Sequence, residues 1–179
     1  MKTLLHTCCA PCSIQCVESL RQEGVEPVMF WYNPNIHPFT EYEGRRNALR
    51  DYASIQKLEL IEQGGYGLRR FIAGVGTNFD ERCEYCYSAR LKEVARYAAE
   101  HGFDCFSTTL LISPYQKHER IREIGEREAA ENNVRFLYRD FRPLFRAGQQ
   151  SAREMNLYMQ KYCGCIFSEE ERYRKRQGR

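Results

Sequence analysis

Four of the nine cysteines stand within nine positions, in the run His6-Thr7-Cys8-Cys9-Ala10-Pro11-Cys12-Ser13-Ile14-Gln15-Cys16. Cys83 and Cys86 form a C-x-x-C, Cys163-Gly164-Cys165 forms a C-x-C, and Cys105 stands alone. The thiolate is the form that binds a metal or acts as a nucleophile, and a helix N-terminus favours it. Cys8 and Cys9 sit on a turn between a short apolar run and a helix, and Cys83 and Cys86 open another helix. Together these pairs offer four thiolates, which suit a tetrahedral zinc or a cubane iron–sulfur cluster. An adjacent Cys-Cys pair bites a single ion poorly but can span two irons of one cluster, so the pattern leans toward iron–sulfur. Cys12 lies four residues after Cys8 and reaches the same site from the first helical turn. It reads either as a thiol beside the cluster or as a ligand to an additional ion. Cys163 and Cys165 can close a small, strained disulfide of the easily reduced kind; the alternative is a further pair of metal ligands. Cys16 and Cys105 fall on apolar faces and read as core thiols.

At 179 residues, with no internal repeat, low-complexity stretch or long linker, the chain is expected to form one α/β domain over 1–179. A net charge of +3 does not by itself announce a nucleic-acid partner. The N-terminal apolar run is too short and interrupted for a signal peptide, and no run reaches membrane-span length. A cytoplasmic location is therefore expected, where cysteines at such spacings serve metals or catalysis more than a disulfide framework. Twelve tyrosines, ten phenylalanines and one tryptophan are a high aromatic load. They supply either core or platforms for stacked bases.

The elements that must position these thiols alternate. Leu4 to Thr7 reads as a first strand, with a helix from Pro11 to Gly24 and a second strand over Val28–Tyr32 that ends at Asn33-Pro34-Asn35. Thr40 and Glu43 have capping-box spacing for a helix to about Lys57. A third strand follows at Leu58–Ile61, then a Gly64-Gly65-Gly67 loop and an ambiguous stretch over Leu68–Asp80. A helix from Cys83 to His101, a fourth strand over Cys105–Leu111, a helix from Ser113-Pro114 to about Asn132 and a fifth strand over Val134–Tyr138 complete the alternation. From Phe141 the pattern changes to a C-terminal helical extension, 141–179, which carries Cys163-Gly164-Cys165. Ser151 and Glu154 are read as capping a helix there that ends near Tyr162, followed by a charged tail. This order predicts a mostly parallel five-stranded sheet, 3-2-1-4-5, with helices on both faces. In such a sheet ligands bind beyond the strand C-termini, where the order reverses between strands one and four. The cysteine turn would then face Thr108 to Tyr115.

Arg45, Arg46, Arg90, Lys117, Lys161 and the tail residues Arg172, Arg174, Lys175 and Arg176 are candidates for phosphate contact, with a solvated charged face as the alternative, favoured for the tail. Tyr32, Phe39, Tyr85, Tyr87 and Tyr115 flank the expected site and are candidates for base stacking. His6 reads as a hydrogen-bonded core residue, and His37 and His118 as surface or RNA-contact residues.

The stretches HTCCAPC, WYNPNIHPFTEYEGR, RCEYCYSARL, FSTTLLISPYQ and QKYCGCIFS together resemble the QueH family of epoxyqueuosine reductases, in order and spacing over nearly the whole chain. The resemblance implies cobalamin-independent reduction of epoxyqueuosine to queuosine in a tRNA anticodon loop, the last step of queuosine biosynthesis. It implies a [4Fe-4S] cluster on Cys8, Cys9, Cys83 and Cys86. It also implies an additional metal, iron, beside the cluster near Cys12, and a redox-active disulfide pair at Cys163 and Cys165. The implied partners are tRNA carrying epoxyqueuosine and an unidentified electron donor, with no membrane. The implied fold is nucleotide-hydrolase-like. Cysteines stand where that group has its Gly-rich phosphate loop, so ATP use is not expected. Two other readings stay open on the residues: a zinc-stabilised RNA-binding module without catalysis, and a thiol–disulfide oxidoreductase acting on proteins.

Overall fold

The computed structural model describes residues 1–174. Strands β1 (Thr3–His6), β2 (Pro27–Trp31), β3 (Leu60–Glu62), β4 (Cys105–Thr108) and β5 (Arg135–Phe136) form one sheet in the order β3-β2-β1-β4-β5. Every pairing is parallel: Leu4 lies opposite Val28 on one side and Phe106 on the other. All four residues of β1 and of β4 are buried. Central strands of a parallel sheet are covered on both faces and lose the in–out alternation of a half-exposed strand. Helix α1 (Ala10–Gln22) packs beside α2 (Phe39–Gln56), and α4 (Arg82–Glu100) beside α5 (His118–Glu131). Right-handed crossovers in opposite directions from β1 place these two pairs on opposite faces. The short α3 (Leu68–Val75) packs on α4, α6 (Phe145–Glu154) packs on α1, and α7 (Ile166–Arg174) closes the described chain. No helix among the described residues is long and apolar enough to cross a membrane.

Several boundaries differ from those expected. Thr40 is not a cap: α2 starts at Phe39 behind Pro38, with no side-chain cap. Helix α5 begins at His118 rather than at Ser113-Pro114. After β4 the chain makes a 3-10 turn over Thr109–Ile112, capped by the Thr108 hydroxyl, and then a second turn. The Tyr87 hydroxyl holds that second turn open by accepting from Lys117 N and donating to Gln116 Oε1. Ser151 lies near the end of α6, which stops at Glu154 instead of Tyr162. The segment expected as a charged tail forms α7 as far as Arg174; Lys175 and Arg176 lie outside the described residues.

Candidate metal centre

The strand C-termini meet at one edge of the sheet, and seven of the nine cysteines gather there. Cys9 is the N-cap of α1 in extended backbone and Cys12 is the third helical residue. Side chains at these two positions face each other, as in a capping box, but here both are thiols. No side chain caps the helix, so its first N–H groups are left without a side-chain acceptor. The sulfurs of Cys8, Cys9 and Cys12 lie within 4.8 Å of one another, with Cys8 and Cys9 at 3.8 Å. Thr109, on the turn after β4, reaches Cys8 through its hydroxyl, 3.4 Å from the amide nitrogen and 3.6 Å from the sulfur.

The three thiols differ in acidity. Contacts from Cys12 and Cys9 bring Cys8 well below the ordinary thiol range, against burial and with help from Arg90 and His6. The same contacts push Cys12 well above it, and burial pushes Cys9 up. Cys8 is thus the first of the three to become a thiolate.

Cys83 and Cys86 lie outside this compact group, on the first turns of α4. Arg90 is four residues beyond Cys86 on the same helical face. Its Nε donates to Cys86 O at 3.0 Å and its Nη2 to Cys86 Sγ at 3.0 Å. Arg90 is 2% exposed. The groups that favour its charge are Cys86, Cys8, Cys163 and Tyr87. Burial lifts the Cys86 thiol to about 12 even though Arg90 pulls it down.

A strap formed by residues 157–165 crosses this edge. Gln160 Nε2 donates to Cys12 Sγ at 3.6 Å, and Gln116 Nε2 to Cys163 Sγ at 3.2 Å. Arg45, buried in α2, donates to the carbonyls of Cys163 at 2.8 Å and Tyr162 at 2.9 Å. His37 N donates to Gly164 O at 2.8 Å, and Ile166 N donates to His37 Nδ1 at 3.2 Å. Gly164 has φ +152 and sits against Arg45, Asn35 and Ile36, a place where a side chain would be strained. Cys163 is exposed, whereas Cys165 is buried in an apolar cluster with Phe71, Val75 and Cys86.

His6 is the core residue it was expected to be. The Tyr32 carbonyl can only accept, so Nε2 carries the proton; Thr108 hydroxyl then donates to Nδ1 at 2.9 Å. Burial, with Arg90 adding to it, holds His6 at about 4. Cys16 and Cys105 are fully buried core thiols.

The expectations for Arg45, Arg90, His37 and His118 are overturned. All four are buried: both arginines face thiols or strap carbonyls, and His118 bonds the Tyr138 hydroxyl at 3.0 Å. The signal lay in the helical register, with Glu41 four residues before Arg45 and Cys86 four before Arg90. Tyr87 is buried as well, while Tyr115 and Phe39 are exposed.

The family model described as "Epoxyqueuosine reductase QueH" matches residues 3–171. The chain belongs to the epoxyqueuosine reductase QueH family. A QueH relative from Dehalococcoides mccartyi is 40% identical over 174 residues, covering 97% of this chain and 96% of its own length. One from Thermotoga maritima is 35% identical over 182 residues, covering 96% and 92%. One from Acinetobacter baylyi is 35% identical over 188 residues, covering 99% and 86%. Among solved structures, a predicted subunit of a tRNA methyltransferase from Methanocaldococcus jannaschii superposes with a TM-score of 0.55 at 11% identity, over 99% of this chain and 89% of its own. A deacetylase of teicoplanin biosynthesis gives 0.53 at 12% identity, over 86% and 83%. At such identities these two show the fold alone, a parallel α/β sheet covered by helices. In this QueH family chain the turn from β1 into α1 carries Cys8, Cys9 and Cys12.

Proposed function

We propose that this chain reduces epoxyqueuosine to queuosine in a tRNA anticodon loop, with a [4Fe-4S] cluster held by Cys8, Cys9, Cys83 and Cys86 and a second metal ion beside Cys12. The observation that carries the reading is the compact group of Cys8, Cys9 and Cys12 thiols at the ligand-binding edge of the sheet, together with a buried guanidinium bonded to Cys86 Sγ. The donor set fits such a cluster: it is all thiol, placed on two helix N-termini, and faced by a cation that a thiolate cluster would neutralise. Beside Cys12, Gln160 Oε1 is a buried oxygen without a hydrogen-bond partner among the described residues, a donor suited to a second ion. When bound, these metals supply a Lewis acid for the epoxide oxygen and a path for single electrons.

Loss of the epoxide oxygen as water takes two electrons and two protons. Closing a Cys163–Cys165 disulfide releases that number of each, so epoxide plus two thiols balances alkene plus disulfide plus water. Exposed Cys163 is the sulfur an external dithiol would attack to reset the pair, and buried Cys165 faces the cluster side through Cys86. Gln116 orients Cys163, and Arg45 and His37 hold the strap that carries the pair. These residues and the 3-10 turn after β4 form the walls of the site.

The anticodon loop would approach the same edge. A cleft of about 460 Å³ opens beside Tyr32, Gly64, Tyr66, Arg69 and Arg70. Arg69 and Arg70 are exposed and make no ion pair among the described residues; Arg70 reaches only the Tyr32 hydroxyl, at 3.4 Å. Two free cations beside two tyrosines suit backbone phosphate and an unstacked base.

A single-turnover assay under anaerobic conditions tests the role of the pair. The variant Cys163→Ser/Cys165→Ser should fail to convert epoxyqueuosine-tRNA when no other reductant is added; conversion at the wild-type rate would refute it. One observation favours a second reading. The 3.8 Å separation of Cys8 and Cys9 sulfurs equals the roughly 3.8 Å expected between thiolates on one tetrahedral zinc with Zn–S near 2.3 Å. That reading predicts colourless protein containing zinc and no sulfide.

A further inference from the structure

A fully buried charge is costly unless it is paired. The other arginine buried to this extent, Arg45, at 1% exposed, has the Glu41 carboxylate at 2.7 Å. Arg90, at 2% exposed, has no carboxylate partner among the described residues. Its hydrogen bonds go to Cys86 O and Cys86 Sγ, and its ring contact is with Tyr87, at 5.9 Å. The guanidinium also acts electrostatically on Cys8, at the end of β1, and on Cys163, on the strap. Its charge therefore bears on a thiol of each of the three groups, with direct contact at Cys86. In the metal-free protein its charge has only thiols and one carbonyl to face. With anionic sulfur beside it, the charge is compensated.

We propose that Arg90 is the buried counter-cation of the cluster and raises its reduction potential through the hydrogen bond to Cys86 Sγ. This rests on the cluster reading above. The physical reason is differential: each added electron makes the cluster more negative, so a fixed cation and an N–H donor at one ligand sulfur stabilise the reduced state more than the oxidised one. A lysine keeps the charge but loses the planar fork that reaches carbonyl and sulfur together. Arg90 is thus a positioning and tuning residue, not one that touches the tRNA.

The test uses anaerobically prepared wild type, Arg90→Lys and Arg90→Met. Iron and acid-labile sulfide are measured first, followed by a potentiometric titration read by absorbance and electron paramagnetic resonance. The Arg90→Met cluster should shift to a more negative potential. Its reduced-to-oxidised ratio at a fixed potential should fall about tenfold, equivalent to about 59 mV for one electron, with Arg90→Lys between the two. The metal-free proteins give an independent readout. Removing an uncompensated buried cation should leave the thermal midpoint of Arg90→Met equal to or above wild type. If Arg90→Met does not hold the cluster while its metal-free form stays as stable as wild type, the counter-cation role is supported, and Arg90→Lys supplies the potential. A loaded Arg90→Met with unchanged potential overturns the inference, as does a metal-free Arg90→Met clearly less stable than wild type. A wild type that holds no iron and sulfide overturns the cluster reading itself, so the two failures are distinguishable.

Discussion

Arg45 offers the sharpest test of how the strap is held. Its Nε donates to Glu41 Oε1 at 2.7 Å, and Glu41 Oε2 accepts from the Tyr158 hydroxyl. The other two nitrogens donate to the carbonyls of Cys163 and Tyr162. Arg45→Met strands the Glu41 carboxylate, 7% exposed, with a single hydroxyl donor. Breaking one side of a buried ion pair costs about 3–5 kcal/mol. Adding Glu41→Gln removes the stranded charge, so the double variant should be more stable than Arg45→Met by about 2 kcal/mol. It should not return to wild type, because the carbonyls of Tyr162 and Cys163 still lack donors, each worth about 1.5–3 kcal/mol when the donor is charged. Urea unfolding of the reduced, metal-free proteins measures these differences. A second readout is local: in both variants alkylation of Cys165 should accelerate relative to the core thiol Cys105. If Glu41→Gln adds to the destabilisation of Arg45→Met instead of relieving it, the account of a buried pair anchoring the strap is wrong.

Protonation of His37 should weaken the same anchor. Burial lowers its folded pKa from 6.5 to about 4, against the contact with Pro34 O that raises it, and Nδ1 must stay bare to accept from Ile166 N at 3.2 Å. A depressed folded pKa contributes stability that is present above 6.5 and is lost as pH falls from 6.5 through 4, a difference of about 3 kcal/mol. His37→Gln should flatten that part of the stability–pH curve, and an unchanged slope would refute it. Arg69→Ala/Arg70→Ala should weaken tRNA affinity and make the slope of log K against log salt shallower by about 1–2; an unaltered slope would move the RNA backbone away from this cleft. Gly67→Ala should destabilise by about 1–3 kcal/mol, since a Cβ there would lie 2.6 Å from Pro34 Cβ and 2.7 Å from its Cα. A neutral Gly67→Ala in thermal unfolding would mean that the cleft wall is not built by this close approach.

The sheet order was legible because alternation of short apolar runs with helical repeats leaves few topologies, and right-handed crossovers then fix the neighbours. Convergence of the cysteine turn with the turn after β4 followed from that order alone. Local signals served less well where tertiary contacts override them. Thr40 and Glu43 have the spacing of a cap, but Pro38 sets the start of α2 two residues earlier. Ser113-Pro114 looks like a helix start, but Tyr87 holds the following residues in a turn. The arginines were the least legible part. In a sequence, Arg45 and Arg90 resemble surface cations that bind phosphate, and their four-residue spacing from Glu41 and Cys86 is the one hint otherwise. Packing then shows that one holds strap carbonyls and the other a thiol. The strap itself was unreadable for the same reason: its hold depends on Gln116, His37 and Arg45, each far from it in sequence.

The central claim is that Cys8, Cys9, Cys83 and Cys86 hold an iron–sulfur cluster. Metal and acid-labile sulfide analysis of the anaerobically purified protein, with each cysteine replaced in turn by serine, tests it most directly. The account predicts a coloured protein with about four sulfides and at least about four irons per chain. Both should fall in Cys8→Ser, Cys9→Ser, Cys83→Ser and Cys86→Ser and be retained in Cys16→Ser and Cys105→Ser. Stoichiometric zinc without sulfide, or a full cluster in Cys83→Ser and Cys86→Ser, would contradict it.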